Sequence, residues 1–252
     1  MDLMTSKILD VCTSIGRLML ENGAETYRVE DTVYRVAVNY GLQSVSVFSV
    51  PAALIITVQD QTGQEHTRLH RVTEQRSNLD IVSEANNLSR KIAVTDLSPN
   101  DALNELDRLN RKESHYSLFE EILAAALICG FFTVIFQGSL LDLVAATFIG
   151  GLGYAVYVHA LKFINIRFFS EMIAAALIGW SAYLLTQIGL GHDVNIIIVS
   201  SVMTLVPGKA ITNGIRDLMA SHYISGVSVL ADALLTAAAI GIGVATVLSF
   251  IN

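Results

Sequence analysis

The chain has 252 residues, of which 52% are hydrophobic, and a formal net charge of −7. This charge balance excludes a basic nucleic-acid-binding protein, because phosphate contacts need a surplus of Lys and Arg. The charges are unevenly placed: residues 1–117 carry 12 Lys/Arg and 16 Asp/Glu, whereas residues 118–252 carry only 4 and 7. The sequence therefore predicts a small water-soluble domain over residues 1–117 and a transmembrane domain over residues 118–252.

The N-terminus shows no secretion signal, and the two cysteines show no disulfide pattern. Met1–Asp10 contains acidic residues and lacks an apolar core before a cleavage site, so no signal peptide is predicted. Cys12 and Cys129 fall in different halves and form no metal or redox motif. We expect both thiols to be reduced and structural, and we expect no cofactor.

The first domain is predicted to be α+β. Apolar residues recur at helical spacing over Leu3–Glu21, and a second helix is predicted over Ala24–Tyr40, after an Asn-Gly stop signal. The stretches QSVSVFSVPAALIITVQD and EHTRLHRV are rich in strand-forming residues, and QTGQ between them predicts a hairpin. Two further helices are predicted, with Ser77 and Ser98 as their N-caps.

The second stretch of the predicted hairpin contains three side chains of the types that bind metal ions. His66 and His70 share one face of a strand, and Glu65 lies beside them. No further ligand follows at a recognisable spacing. We therefore expect exposed strand residues and no metal.

The second half is predicted to contain five transmembrane α-helices. A bilayer core about 30 Å thick needs about 20 apolar residues in a helix. Four segments meet that length: roughly 118–136, 140–160, 168–189 and 226–250. The fifth segment, Val194–Val206, rises only about 20 Å before Pro207, so it either tilts or contains a break. The predicted domain therefore has a broken fourth helix.

The connecting segments predict the orientation of the chain. QGS at 137–139 and GLGHD at 189–193 contain no Lys or Arg. All the Lys and Arg residues that flank the predicted spans lie in the segments on the other side: Arg108, Arg111, Lys112, Lys162, Arg167, Lys209 and Arg216. The positive-inside rule then places the α+β domain in the cytosol and the C-terminus outside the cell (inner) membrane.

An internal repeat marks three of the apolar helices. FEEILAAALIC at 119–129 matches FSEMIAAALIG at 169–179, and DALLTAAAIGIG at 232–243 is a weaker echo. Each copy begins with a carboxylate: Glu121, Glu171 and Asp232. Ala-rich spans can look alike by chance, but a duplicated hairpin is a common way to build a transporter. Carboxylates at membrane depth are natural proton carriers, so these three are the proton-coupling candidates.

The stretch MTLVPGKAITNGIRD breaks the apolar pattern and adds charge. Pro207 lacks an N–H and Gly208 adds backbone freedom, so a new amphipathic helix is predicted after them. Its charged face would either lie among lipid headgroups or line a substrate path. The short span before the break favours the path, with five candidate residues: Pro207, Gly208, Asn213, Arg216 and Asp217.

Several of these motifs resemble one known family. LVPG, TNGIRDL and SG…ADALL resemble the membrane core of the threonine/serine exporter family, and NGAETYRVED at 22–31 resembles the opening signature of its cytosolic domain. The resemblance implies a specific role, such as contacting the membrane module or gating, for Gly23, Glu25 and Arg28. Without it, this stretch is an ordinary solvated helix face.

The resemblance also suggests a partner and two substrate classes. Full-length members look like a five-span half fused to a smaller membrane half, so this chain resembles the larger subunit of the split, two-component version. We therefore expect a second, smaller membrane subunit and an oligomer in the bilayer. Some split members are associated with succinate rather than with amino acids.

The leading hypothesis is a subunit of an ion-gradient-driven exporter of small carboxylate-bearing metabolites, either threonine and serine or a C4 dicarboxylate such as succinate. No phosphate-binding loop of the form G-x-x-x-x-G-K-[ST] occurs, which disfavours ATP-driven export. We expect no enzymatic activity. The alternatives are a membrane-tethered enzyme acting through the cytosolic domain and a scaffold or sensor that transports nothing.

Overall fold

The computed structural model describes residues 3–60, 62–73, 76–111 and 116–251. Gln61 of the predicted QTGQ turn, Lys112 of the basic juxtamembrane stretch and residue 252 lie outside the described residues. The chain divides into two compact units. The first unit comprises Met1–Ser114 and Thr212–Leu230, and the second comprises His115–Ile211 and Ala231–Asn252. The segment Thr212–Leu230, which the sequence placed in the transmembrane domain, thus groups with the first unit.

Among its described residues, the first unit contains four helices and one sheet before the segment Thr212–Leu230. The helices are α1 (Leu3–Glu21), α2 (Thr26–Asn39), α3 (Leu79–Val94) and α4 (Pro99–Asn110). The strands are β1 (Gln43–Val50), β2 (Ala53–Gln59) and β3 (Glu65–Arg71). They form an antiparallel sheet in the order β1-β2-β3. The predicted helices and the predicted hairpin are therefore confirmed.

The core of the first unit lies where α1 and α2 meet the central strand. Leu54 and Ile56 of β2 are fully buried. At Gly16 of α1, an added Cβ would come within 2.5 Å of Leu54 and 2.8 Å of Val33, so only glycine permits this close approach. Cys12 is a buried free thiol, and burial raises its pKa to about 12, which makes it a structural rather than a reactive group.

One predicted helix cap is wrong by one residue. Asn78, not Ser77, caps α3: its side chain accepts hydrogen bonds from the backbone N–H groups of Asp80 and Ile81 at 3.2 and 3.3 Å. Asn78 has the extended backbone of an N-cap, and its amide oxygen reaches the first turn. Ser98 caps α4 as predicted.

The histidines of β3 are half-buried, so the expectation of exposed strand residues is wrong for them. The strand register places His66 opposite Val58 and His70 opposite Leu54. Val58 and Leu54 are fully buried, and cross-strand partners share one face of a sheet. The two rings therefore lie on the core-facing side of an edge strand.

Both histidines face carboxylates. His66 Nε2 lies 2.8 Å from Asp60 Oδ2, and His70 Nε2 lies 4.0 Å from Glu21 Oε1. Hydrogen bonds from Thr62 and then from His66 hold the pKa of the Asp60 carboxyl well below its usual range. Among the described residues, no group of three His, Cys, Asp or Glu side chains could hold a metal ion.

The second unit is helical. It contains α5 (Leu118–Ile135), α6 (Leu140–Ile164), α7 (Arg167–Gln187) and α8 (Val194–Ser201). Two further helices, α9 (Gly208–Met219) and α10 (Tyr223–Ile251), contribute residues to both units. Within the described part of the chain, four helices are long and apolar enough to cross a membrane: Leu118–Ile135, Leu140–Ile164, Arg167–Gln187 and Tyr223–Phe250. The molecule is thus a mostly helical membrane protein with a small three-stranded sheet.

The segment predicted as the fifth span contains a break, which is one of the two alternatives that its length left open. Helix α8 has only eight residues and ends at Ser201, six residues before Pro207. The backbone carbonyl of Ser201 accepts a hydrogen bond from the Cys129 thiol of α5 at 3.4 Å, and residues 202–205 form turns. The helical ladder therefore stops before the proline is reached.

Small residues bring the helices of the second unit close together. A Cβ at Gly150 of α6 would collide with the Cys129 sulfur of α5, and a Cβ at Gly243 of α10 would collide with the Met172 carbonyl of α7. Ala174, which is fully buried, belongs to the same core. Such residues let helix backbones approach closely, which is how helices associate in a bilayer.

Candidate transport site

Two of the three predicted carboxylates meet on one arginine in the second unit. Arg167, the first residue of α7, donates from Nε to Glu171 Oε1 and from Nη1 to Asp232 Oδ2, both at 2.9 Å. Glu171 lies one turn further along α7, where an i, i+4 pair shares a face, and Asp232 lies on α10. We call these three residues the Arg167 cluster.

Glu171 is the buried member of the cluster and is only half satisfied. Its side chain is 3% exposed, whereas those of Arg167 and Asp232 are 43% and 42% exposed. Among the residues that the structure describes, three buried side-chain oxygens have no hydrogen-bond partner: Glu171 Oε2, Ser200 Oγ and Thr236 Oγ1. Such atoms are rare in folded proteins, and each calls for an explanation.

The third predicted carboxylate lies apart from this cluster. Glu121 of α5 is half-buried and accepts a hydrogen bond from the Tyr154 hydroxyl of α6 at 3.2 Å. It is the counterpart of Glu171 in the sequence repeat. The structure therefore gives the two equivalent positions different partners, a phenol for one and a guanidinium for the other.

The residues around the chain break differ in exposure. Pro207 is buried, whereas Gly208 begins α9 in open space. Asn213 is half-buried, and the Arg216 side chain is 51% exposed. Asp217 is 2% exposed. The five predicted path residues are therefore not equally accessible: Pro207 and Asp217 are buried, whereas Gly208 and Arg216 are exposed.

Asp217 lies in a saturated hydrogen-bond cluster within the first unit. Its carboxylate accepts from the Thr26 backbone N–H at 3.2 Å and from the Thr26 and Ser225 hydroxyls at 2.9 Å each. Glu25, the N-cap residue of α2, makes no side-chain cap hydrogen bond, so Asp217 satisfies the first turn in its place. We call Thr26, Asp217 and Ser225 the Asp217 cluster.

The signature residues Gly23, Glu25 and Arg28, around the start of α2, lie beside this cluster. Gly23 has a φ of 81°, which a side chain would strain, and it lets the chain turn between α1 and α2. The Glu25 carboxylate accepts from Arg28 at 3.0 Å and from Arg216 at 2.5 Å. Burial alone raises the pKa of Glu25, but hydrogen bonds from its own backbone, Arg28 and Arg216 bring the net pKa below its usual value.

Sequence reasoning missed several residues that the structure brings to these clusters. Arg167 was counted only as a charge that orients the chain, although a basic residue four positions before Glu171 at the start of an apolar helix was a usable signal. Thr26 and Ser225 gave no signal, because 199 residues separate two hydroxyls that lie 2.5 Å apart.

Comparisons with known proteins place the chain in a transporter family rather than in a family of enzymes. Residues 10–251 match the threonine/serine exporter (ThrE) family. The chain is 24% identical over 251 residues to a protein of Mycobacterium tuberculosis named "Probable threonine/serine exporter". The match covers 96% of this chain and 46% of that protein, so the chain spans about half the length of the curated relative. No solved structure matches. The resemblance seen in the sequence motifs is confirmed, and the chain belongs to the threonine/serine exporter family.

Proposed function

We propose that this chain is a subunit of an ion-gradient-driven exporter of small carboxylate-bearing metabolites, with threonine and serine as the first substrates to test and a C4 dicarboxylate such as succinate as the second. The Arg167 cluster is the observation that carries the proposal. Arg167 and Glu171 stand in the first turns of one apolar helix and Asp232 is the tenth residue of another, and ionisable groups in such segments are costly unless they are paired and functional.

The proposed driving force is the proton gradient. Glu171, Asp232 and Glu121 are the proposed proton carriers, because each is a carboxylate in an apolar helix with a hydrogen-bond partner beside it. Glu171 is favoured among them by its burial and its unpartnered oxygen. On this proposal, Asp232→Asn changes the pH dependence of export.

The proposed substrate path includes the break before α9. Pro207 ends an apolar segment and Gly208 begins the amphipathic helix α9, in which Asn213 and Arg216 offer donors to a substrate carboxylate. Asp217 is surrounded by hydrogen-bond donors, which supports a holding role for it rather than contact with substrate. Glu25 and Arg28 would tune Arg216, and Gly23 would hold the turn that places Glu25.

The proposed topology has five spans in the cell (inner) membrane, with the α+β domain in the cytosol and the C-terminus outside. Four spans are the long apolar helices, and the segment Val194–Val206, which contains α8, would be the fifth. The one-sided distribution of Lys and Arg supports this orientation. We expect single cysteines at positions 162 and 216 to be labelled only from the cytosol, and those at positions 190 and 252 only from outside. Labelling of position 252 from the cytosol would contradict five spans.

We further propose a second, smaller membrane subunit and an oligomeric assembly. The matched relative is about twice as long as the match, and the proposed subunit would correspond to its unmatched part.

The direct test is efflux of radiolabelled serine, threonine and succinate from preloaded cells that contain the chain with or without its membrane partner. We expect efflux of at least one substrate when both are present, and its collapse when a protonophore removes the proton gradient. Efflux that the chain does not change would favour the scaffold or sensor alternative.

A further inference from the structure

One face of the three-stranded sheet packs on the helices of the first unit, and the opposite face, which we call the outer face, does not. Side chains alternate between the two faces along each strand. Leu54 and Ile56 of β2 are fully buried, whereas Ile55 between them is only partly buried. The strand register places Phe48 of β1 and Leu69 of β3 on either side of Ile55. The outer face therefore carries an unbroken apolar row across the sheet.

This apolar row is left uncovered by the described part of the chain. Phe48 is 47% exposed and Leu69 is 64% exposed. Apolar residues at a protein surface are normally scattered singly, and aligned large ones mark an interaction site. The next row contains Ser46, Thr57 and Thr67, and the last two hydroxyls lie 2.9 Å apart and bond to each other. The outer face can therefore be buried at little cost in lost hydrogen bonds.

Opposite charges stand at the two ends of the outer face. Glu65 begins β3 and Arg71 ends it, and the alternation of side chains places both on the same face as Leu69. At about 3.3 Å per residue, their positions on the strand are about 20 Å apart. Both residues are exposed, and neither forms an ion pair among the described residues. The two charges are therefore available to pair with another surface.

We propose that the outer face is a homodimer interface, in which two copies of the chain stack their sheets with the strands antiparallel. A two-fold axis across the strands, over the centre of the sheet where Ile56 pairs with Arg68, brings Glu65 of each copy against Arg71 of the other. The symmetry makes this ion pair twice. The inference specifies the oligomeric assembly proposed above and does not depend on what the chain transports.

The same axis matches large side chains with small ones. It places Leu69 opposite Thr67, and Phe48 opposite Ser46, of the other copy. Stacked sheets lie about 10 Å apart with their strands within about 30° of each other, a gap that interdigitating side chains fill. A two-fold axis along the strands would instead place β3 over β1, which contains no charged residue. Charge complementarity thus favours the antiparallel stack.

Pairing of two copies through the edge of β3 fits the side chains less well. His66, Arg68 and His70 are on the core-facing side of this edge strand, and Arg68 binds Asp10 of α1. Charged residues that point inward are a common means by which edge strands avoid pairing. An edge pairing would also leave Phe48 in water. The face, rather than the edge, is therefore the proposed interface.

The size of the outer face sets the expected strength of the dimer. Three strands about 4.8 Å apart and about 23 Å long present about 300 Å². A stable protein interface buries about 800 Å² on each partner, so this contact belongs to the weak and reversible class. We therefore expect a dimer that dissociates on dilution.

The test is sedimentation equilibrium of the purified full-length chain in density-matched detergent over a range of protein concentrations. Glu65→Arg and Arg71→Glu should each raise the dimer Kd by at least about tenfold, because two attractions become two repulsions. The double variant Glu65→Arg/Arg71→Glu should return the Kd to within about threefold of the wild-type value, since the reversed charges again pair across the axis.

An apolar variant and a control complete this test. Phe48→Asp should raise the Kd by at least about 30-fold, because the symmetric dimer loses the side chain from both copies. Its thermal unfolding should stay near that of the wild type, since Phe48 is exposed in the single chain. Lys91→Glu reverses a charge at an exposed position of α3, which packs on α1 and α2, and should dimerise like the wild type.

The outcomes separate the interface, its geometry and the proposed function. A wild type that stays monomeric, or a Phe48→Asp variant that dimerises with the wild-type Kd, would overturn the interface. Single charge variants that fail to dimerise and a double variant that does not recover would overturn the antiparallel stack. None of these measurements involves export, so an absence of serine efflux would contradict the proposed function and leave the dimer in place.

Discussion

The two hydrogen-bonded clusters of this protein each contain a buried carboxylate but differ in how completely that carboxylate is satisfied. In the first unit, the carboxylate of Asp217 accepts three hydrogen bonds, and both of its oxygens have partners. In the second unit, Glu171 is equally buried but has a donor on one oxygen only. A fully satisfied buried network fixes a conformation, whereas a half-satisfied network is unstable unless something else completes it.

This difference bears on the roles of two residues that the sequence marked as functional candidates. The sequence placed Asp217 on the substrate path and Glu171 among the proton-coupling candidates. The hydrogen-bond partners favour a structural role for Asp217, which caps α2, and a binding role for Glu171. The variants below test that division, beginning with the largest expected effect.

Asp217→Ala should lower the free energy of unfolding by about 3–5 kcal/mol, because Thr26 and Ser225 lose a charged acceptor in a buried place. Faster hydrogen exchange in the peptide spanning residues 24–32, together with unfolding of the full-length chain in detergent, would measure this loss. Asp31→Ala is the matched control, since Asp31 forms an exposed ion pair on the same helix. Equal effects of the two substitutions would show that Asp217 is not the cap of α2.

Arg167→Gln should lower stability by about 2–3 kcal/mol, because it leaves buried Glu171 without its cation while Arg167 itself is partly exposed. The double variant Arg167→Gln/Glu171→Gln should recover most of the loss, since the unpaired charge is then gone. Thermal unfolding in detergent is the measurement, and Lys162→Gln, at an exposed position, is the control. If the double variant were less stable than the single one, the pair would not be coupled in this way.

Glu25 should make folding pH-dependent. Its pKa is lower in the folded chain than the usual value of about 4.3, so its contribution is complete above that value and is lost as the pH falls through the folded pKa. As the pH is lowered from 7 to 3, the free energy of unfolding of Glu25→Gln should fall less steeply than that of the wild type. Glu105→Gln, at a more exposed ion pair, should leave the decline as it is. A steeper decline in Glu25→Gln would contradict the conclusion that folding lowers the pKa of Glu25.

The pair between Glu25 and Arg216 should contribute modestly, about 0.5–1 kcal/mol in a double-mutant cycle, because half of the Arg216 side chain is exposed. Arg216→Gln should nevertheless abolish serine efflux if Arg216 donates to substrate on the proposed path, with expression and insertion unchanged. Wild-type efflux by Arg216→Gln would leave the segment after Pro207 with a structural role only.

Asp193→Asn is expected to have the smallest effect, below about 0.5 kcal/mol. Asp193 caps α8 by accepting from the backbone N–H groups of Asn195 and Ile196, and asparagine caps helices about as well as aspartate. Melting temperature and serine efflux should both stay near wild type. A large loss of efflux would move the search for the transport site to this end of the helices.

Local patterns in the sequence predicted much of the fold. The stripe of apolar residues over Leu3–Glu21 predicted α1 with its bounds, and the Ser98 cap predicted the start of α4, because both depend on residues within a few positions of each other. The four long apolar runs were likewise visible from composition. The segment after Asp193 was harder, because its helix ends where Cys129 bonds to the Ser201 carbonyl, a contact between residues 72 positions apart.

The sequence by itself determined that this chain has a soluble part and apolar helices, that it resembles an exporter, and that Glu171 and Asp232 belong to copies of one repeated motif. Only the tertiary structure decided that both oxygens of the Asp217 carboxylate have hydrogen-bond partners and that Glu171 Oε2 has none among the described residues. Asp217 and Thr26 are 191 positions apart, and Arg167 and Asp232 are 65 positions apart. Hydrogen bonding depends on distances of about 3 Å between atoms, and no local pattern specifies which distant residues will come that close.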